Sequence, residues 1–114
     1  MARLTVHVLD MAQGLSAKGM RVTLTRPDCP EWRVQMVTGE DGRTPGPLIE
    51  GDAFTPARYC LVFDLADYFA AAGVVQQDPP LLTQVTVEFQ TRKDENYHIP
   101  LVCTPFGYSV YRGS

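Results

Sequence analysis

Several things are scarce in this chain, and each scarcity closes off a class of function. Cysteine occurs three times, at Cys29, Cys60 and Cys103. The number is odd and no two are closely spaced, so neither a disulfide framework nor a zinc site is expected. A reducing, cytoplasmic setting fits that usage. No apolar run approaches the ~18 residues of a membrane-spanning helix. The opening MARLTVHVLD holds no separate charged segment, apolar stretch and cleavage site, so no signal peptide is expected. Basic tracts are missing and the net charge is −3, which gives no support to a nucleic-acid or membrane partner. Histidine occurs only twice, without an H-x-H pair or a nearby cysteine pair, so no metal site is expected. There is no G-x-S-x-G, P-loop or dinucleotide motif.

What is present is ordinary in amount and regular in order. The 114 residues are 45% hydrophobic and 20% charged, enough for one domain over 1–114 with a real core. Period-two alternation dominates. RLTVHVLD sets Leu4, Val6 and Val8 against Thr5, His7 and Leu9. MRVTLT, WRVQMV, YCLVF and VTVEF alternate in the same way. YHIPLVC sets Tyr97, Ile99, Leu101 and Cys103 against His98, Pro100 and Val102, and FGYSVY sets Phe106, Tyr108 and Val110 against Gly107, Ser109 and Tyr111. Seven or eight short strands between Gly/Pro/Asp-rich turns predict an all-β sandwich. One segment, DLADYFAAAG, breaks the pattern and predicts a single helix near 65–72, with Asp64 able to cap it and Gly73 to end it. MAQGLSAKG and GEDGRTPGPLIEG (39–51) read as loops. Pro100 predicts an edge strand, or a missing N–H that faces away from a partner.

The faces opposite the core stripe hold the groups with chemistry. His7, His98, Ser109 and Tyr111 lie there by alternation alone, among Leu9, Pro100, Val102 and Gly107 rather than Lys and Glu. A half-apolar second face on a small sandwich calls for a cover, most simply another copy of the chain. Each residue also has a plainer reading. A lone strand histidine is usually a surface or satisfied core residue, Arg43 can be a turn arginine in water, Tyr111 a cross-strand aromatic, and Arg112 and Ser114 a loose end. Cys60 and Cys103 sit in strand patterns, where a buried structural role is commoner than a nucleophilic one. Composition and spacing reach an oligomeric all-β sandwich with a possible histidine site, and stop there.

Three segments together go further. LTVHVLDMAQGLSAKGMRVTL, GEDGRTPGPL with FTPARYCLVFDLADYFAAAG, and NYHIPLVCTPFGYSVYRGS resemble, across essentially the whole chain, the opening, centre and end of the transthyretin-like family. That family has a carrier branch and a 5-hydroxyisourate hydrolase branch. The hydrolase marks are a first-strand histidine, an arginine in a DGR turn, a penultimate-strand histidine and a terminal YRGS, which match His7, Arg43, His98 and Tyr111–Ser114. GLSAKG and TGEDGR depart locally from the family pattern without removing a site group. The resemblance implies a prealbumin-like sandwich, a cytoplasmic homotetramer with two-chain sites, and hydrolysis of 5-hydroxyisourate in urate degradation without a cofactor. His7 or His98 would serve as general base, with the other orienting the water or donating a proton. Arg43 would stabilise developing charge. Tyr111 would contact the ring, Arg112 would hold the tail or neutralise the anion, Gly113 would allow close approach, and Ser114 would hydrogen-bond the catalytic group or substrate. The alternative is a non-catalytic carrier of a small aromatic ligand on the same fold.

Overall fold

The structure is a computed structural model, and it describes residues 2–114. The seven expected strand runs all form: β1 (Arg3–Asp10), β3 (Arg21–Arg26), β4 (Cys29–Val37), β6 (Arg58–Asp64), β7 (Gln84–Gln90), β8 (Tyr97–Thr104) and β9 (Gly107–Val110). Two further strands of two residues each, β2 (Leu15–Ser16) and β5 (Ile49–Glu50), arise inside the segments read as loops. Both form because β1 has an edge to share: Leu9 and Asp10 pair with Ser16 and Leu15, and Arg3 and Leu4 pair with Glu50 and Ile49.

The strands make two sheets. One has the order β2-β1-β8-β9, with β5 also on β1, and the other β4-β3-β6-β7. Strands β1 and β8 run parallel, while the other strand pairs among the described residues are antiparallel. The alternating apolar faces meet between the sheets. Leu4, Val6, Val8 and Leu101 from one face Val22, Leu24, Leu61 and Phe63 from the other, all of them buried. Burial of this kind contributes roughly 25 cal/mol per Å² of apolar surface, which is why the pattern is obeyed on the inner faces of the central strands.

Helix α1 spans Leu65–Ala72 and seals one end of the core with Leu65, Tyr68 and Phe69. Gly73 closes it at φ 73°, donating its N–H to Ala70 O. Asp64 stands at the N-cap position but makes no capping hydrogen bond there. Its carboxylate instead accepts from Gln84 Nε2 at 2.7 Å, on the neighbouring strand.

Two other expectations need correction. The apolar alternation of FGYSVY does not bury its large residues: Phe106 and Tyr108 are 58% and 50% exposed. Strand β8 as a whole is not an edge strand, because it lies between β1 and β9 in the sheet. The other half of that expectation accounts for the proline. His98 O accepts from Gly113 N at 2.7 Å, and alternation turns the Pro100 nitrogen toward the same side. The regular β9 ladder has ended there, at Leu101–Val110, so no ladder bond is lost.

Candidate active site

The parallel pairing of β1 and β8 brings the two histidines onto one face. Thr5 is the register partner of His98, and His7 that of Pro100. Residues two apart on a strand share a face, so Thr5, His7, His98 and Pro100 form a patch on the outer side of the sheet. His7 and His98 are therefore diagonal neighbours, which alternation along each strand could not reveal.

The middle of β1's other edge is taken by the turn that holds Arg43. Gly42 O accepts from Val8 N at 2.8 Å, and Arg43 bridges His7 as a backbone partner. The turn is closed by Gly39 N to Arg43 O at 2.8 Å and by Arg43 N to Asp41 Oδ1 at 3.0 Å. Gly42 has φ 75°, and a Cβ there would lie 2.5 Å from Val8 O and 3.1 Å from His7 Cδ2. Only glycine lets the turn approach so closely.

The chain's last residues cross the other side of β8. Gly113 bridges His98, and a Cβ on it would lie 2.7 Å from His98 Cδ2 and 3.1 Å from Pro100 Cγ. Ser114 follows at the rim. Arg112 points away from the histidines: its Nη2 donates to Asn96 O at 3.0 Å and Glu95 Oε1 at 3.1 Å, and its guanidinium lies 4.3 Å from the centre of the Tyr97 ring. This arrangement ties the tail down by a cation–π contact and two charge-assisted bonds.

The result is a cleft of about 460 Å³ lined by Thr5, Arg43, Asn96, His98, Gly113 and Ser114, among others. Thr5 Oγ1 lies 2.8 Å from His98 Nδ1. Burial first, and then the positive charge of Arg43, holds the His98 imidazolium pKa below its ordinary value, so the neutral ring dominates near pH 7. A larger cavity of about 710 Å³ opens elsewhere, among Phe89, Arg92, Tyr97, Ile99 and Arg112. It holds neither histidine, so the smaller cleft is where proton chemistry is available.

Of the residues singled out in the sequence, Arg43, His98 and Ser114 line the cleft. His7 is half-buried on the same face beside Arg43 but does not line it in the single chain. Tyr111, 55% exposed, and Arg112 stand outside it. Two contributors were not singled out. Thr5 carried a signal, because it lies two residues before His7 on the same face. Gly42 carried its signal in the DGR turn. Among the described residues no three His, Cys, Asp or Glu side chains gather into a metal-binding group, and no helix is long and apolar enough to cross a membrane.

A two-sheet sandwich carrying a histidine–arginine cleft on an outer face defines a class in which the scaffold is generic and the face decides the chemistry. The model of the HIUase/Transthyretin family matches residues 4–113, and the chain belongs to that family. It is 45% identical to 5-hydroxyisourate hydrolase 2 of Rhizobium meliloti, over 98% of this chain and 96% of that protein. Among solved structures it resembles 5-hydroxyisourate hydrolase of Klebsiella pneumoniae, at TM-score 0.83, 30% identity and full coverage of both chains. It also resembles (S)-allantoin synthase at TM-score 0.92 and 37% identity, covering 99% of this chain but only 44% of that one.

Proposed function

We propose that this protein, as a single domain over 1–114, hydrolyses 5-hydroxyisourate to 2-oxo-4-hydroxy-4-carboxy-5-ureidoimidazoline, a step of urate degradation. The observation that carries the reading is the joining of His98, Arg43 and Ser114 in one cleft beside His7, in a chain that matches a 5-hydroxyisourate hydrolase end to end. The reaction needs an activated water, a stabilised oxyanion and a proton for the leaving nitrogen. The two imidazoles supply the acid–base groups. Arg43 offers a fixed fork of donors to the substrate's carbonyl and to charge that develops on it. Ser114 supplies a hydroxyl at the rim, and Tyr111 packs on the ring when the site is complete. Arg112 acts by holding the tail in place.

The complete site lies between copies of the chain in a cytoplasmic homotetramer. The half-apolar outer face and the exposed Phe106, Tyr108 and Tyr111 support that assembly, since such a surface is ordinarily covered. A carrier of a small aromatic ligand is the weaker reading, because an apolar pocket has no use for two histidines and an arginine on one face.

A coupled ultraviolet assay tests the function. Urate oxidase generates 5-hydroxyisourate in the cuvette, and its decay is followed with and without the protein. Accelerated decay is expected. Decay at the spontaneous rate, with a folded tetramer, would sink the enzyme reading.

A further inference from the structure

The His98 ring is gripped on two sides. On one, the Thr5 hydroxyl lies 2.8 Å from Nδ1, and the two residues are register partners on adjacent strands. Backbone pairing therefore delivers the contact. On the other side the tail lies so close that a Cβ at Gly113 would sit 2.7 Å from Cδ2. With Nδ1 engaged and Cδ2 covered, Nε2 is the nitrogen left for chemistry, and among the described residues it has no protein partner.

The proton on the ring depends on one choice, whether Thr5 donates to Nδ1 or accepts from it. A neutral imidazole has one N–H and one lone pair. Thr5 Oγ1 has no other hydrogen-bond partner among the described residues, and a half-buried hydroxyl keeps its proton in a bond where it can. When Thr5 donates to Nδ1, the ring's own proton must sit on Nε2.

We propose that Thr5 is a positioning residue. It donates its O–H to Nδ1 of His98 and so fixes the Nε2–H tautomer, which makes His98 a hydrogen-bond donor to the cleft and leaves proton abstraction to His7. This assignment of roles rests on the hydrolase reading. His7 takes a proton from water as the water oxygen bonds to the ring carbonyl carbon. The carbonyl π electrons move onto oxygen, and the oxyanion accepts hydrogen bonds from His98 Nε2–H and Arg43. The oxyanion then reforms the carbonyl, the C–N bond breaks, and His7 returns its proton to the leaving nitrogen. His98 stays neutral throughout, as its burial and the nearby Arg43 charge favour. A neutral imidazole N–H is an effective electrophile toward a developing oxyanion.

The test is nitrogen NMR of the imidazoles in the full-length protein, combined with kinetics of Thr5→Val and Thr5→Ser. Wild-type His98 is expected to show a protonated Nε2 and an unprotonated Nδ1. Thr5→Val keeps the shape of the side chain and a good strand former. It is expected to mix the tautomers and lower kcat about tenfold, with KM within about twofold. Thr5→Ser is expected to restore both. A wild-type ring protonated on Nδ1 would overturn the proposal without any variant, and so would a Thr5→Val protein with unchanged tautomer and kcat. The spectrum needs no substrate. A fixed Nε2–H tautomer that responds to Thr5→Val, in a protein that fails to accelerate 5-hydroxyisourate decay, would remove the hydrolase reading and leave the positioning role standing.

Discussion

At the C-terminal end of β1 the Asp10 carboxylate is fully buried and accepts four hydrogen bonds, from Ala12 N at 2.9 Å, Gln13 N at 3.0 Å, Gln13 Nε2 at 2.8 Å and Tyr68 Oη at 2.7 Å. Nearer its start, the same strand presents Thr5 to His98, beside Arg43 and the tail, on a face that leaves His98 Nε2 and the exposed Arg43 side chain without protein partners among the described residues. Both clusters are polar and both hang on β1. The first is saturated. Burial alone would raise the Asp10 pKa, but the bonds from Tyr68, Gln13 and Ala12 outweigh it and hold the carboxyl below its usual range. Burial and the same carboxylate push the Tyr68 hydroxyl up, and burial pushes the neighbouring Cys103 thiol up to about 12, so neither ionises near neutrality. A buried polar group with every bond made joins β1 to α1 and does nothing else. The second cluster keeps bonding capacity in reserve, and that reserve is what a substrate can use.

Substitutions should separate the two clusters cleanly. The largest effect is expected at the open one: His98→Ala and Arg43→Ala each lower kcat/KM by about 100-fold or more. Their denaturant midpoints should stay close to wild type, because neither side chain holds a saturated network. A large loss of stability in either variant would erase the distinction. Asp10→Ala should do the reverse. It strands Tyr68, Gln13 and two backbone N–H groups, and costs about 3 kcal/mol of unfolding free energy. The protein that remains folded should turn over at close to the normal rate.

Gly113→Ala probes the seam between tail and site. Its Cβ would meet the His98 ring at 2.7 Å, so either the ring or the tail must shift. A fall in kcat of about tenfold with little change in stability is expected. Unchanged kcat would mean that the tail's approach to His98 is not needed.

The smallest effect is the pH dependence of stability, and it too divides. Asp10 has a folded pKa below its unfolded value of about 3.9, so the native state binds fewer protons. Its contribution is complete above that pH and is lost as pH falls through the folded value. His98 also has a lowered folded pKa. Between that value and the unfolded pKa of about 6.5 the unfolded chain binds more protons, so stability rises with pH across this window and is flat above it. Urea midpoints against pH should show both slopes. Asp10→Asn should remove only the more acidic one, and His98→Ala only the other.

Much of this was written locally in the chain. Hydrophobic alternation placed the seven main strands, and the alanine-rich DLADYFAAAG with its closing Gly73 placed the helix. Alternation failed at Phe106 and Tyr108, because Phe106 lies in the turn before β9 and Tyr108 on β9 itself, at the sheet edge with nothing from the same chain to cover it. It missed β2 and β5 because two-residue strands have no period; they exist only where β1 offers its edge. Asp64 has the right residue type for a cap, but Gln84 across the sheet competes for its carboxylate and wins.

The site divides in the same way. His7, Arg43, His98 and Ser114 could be picked out by type and by family resemblance, and alternation correctly put both histidines opposite the core. Alternation is a property of one strand, however, and says nothing about which strands adjoin. The sequence by itself determined two sheets with apolar inner faces, because each strand's burial depends on its own period. Only the tertiary structure decided that β1 and β8 run side by side in parallel, with Thr5 against His98. That choice depends on contacts between residues more than 90 positions apart, and no local pattern encodes them.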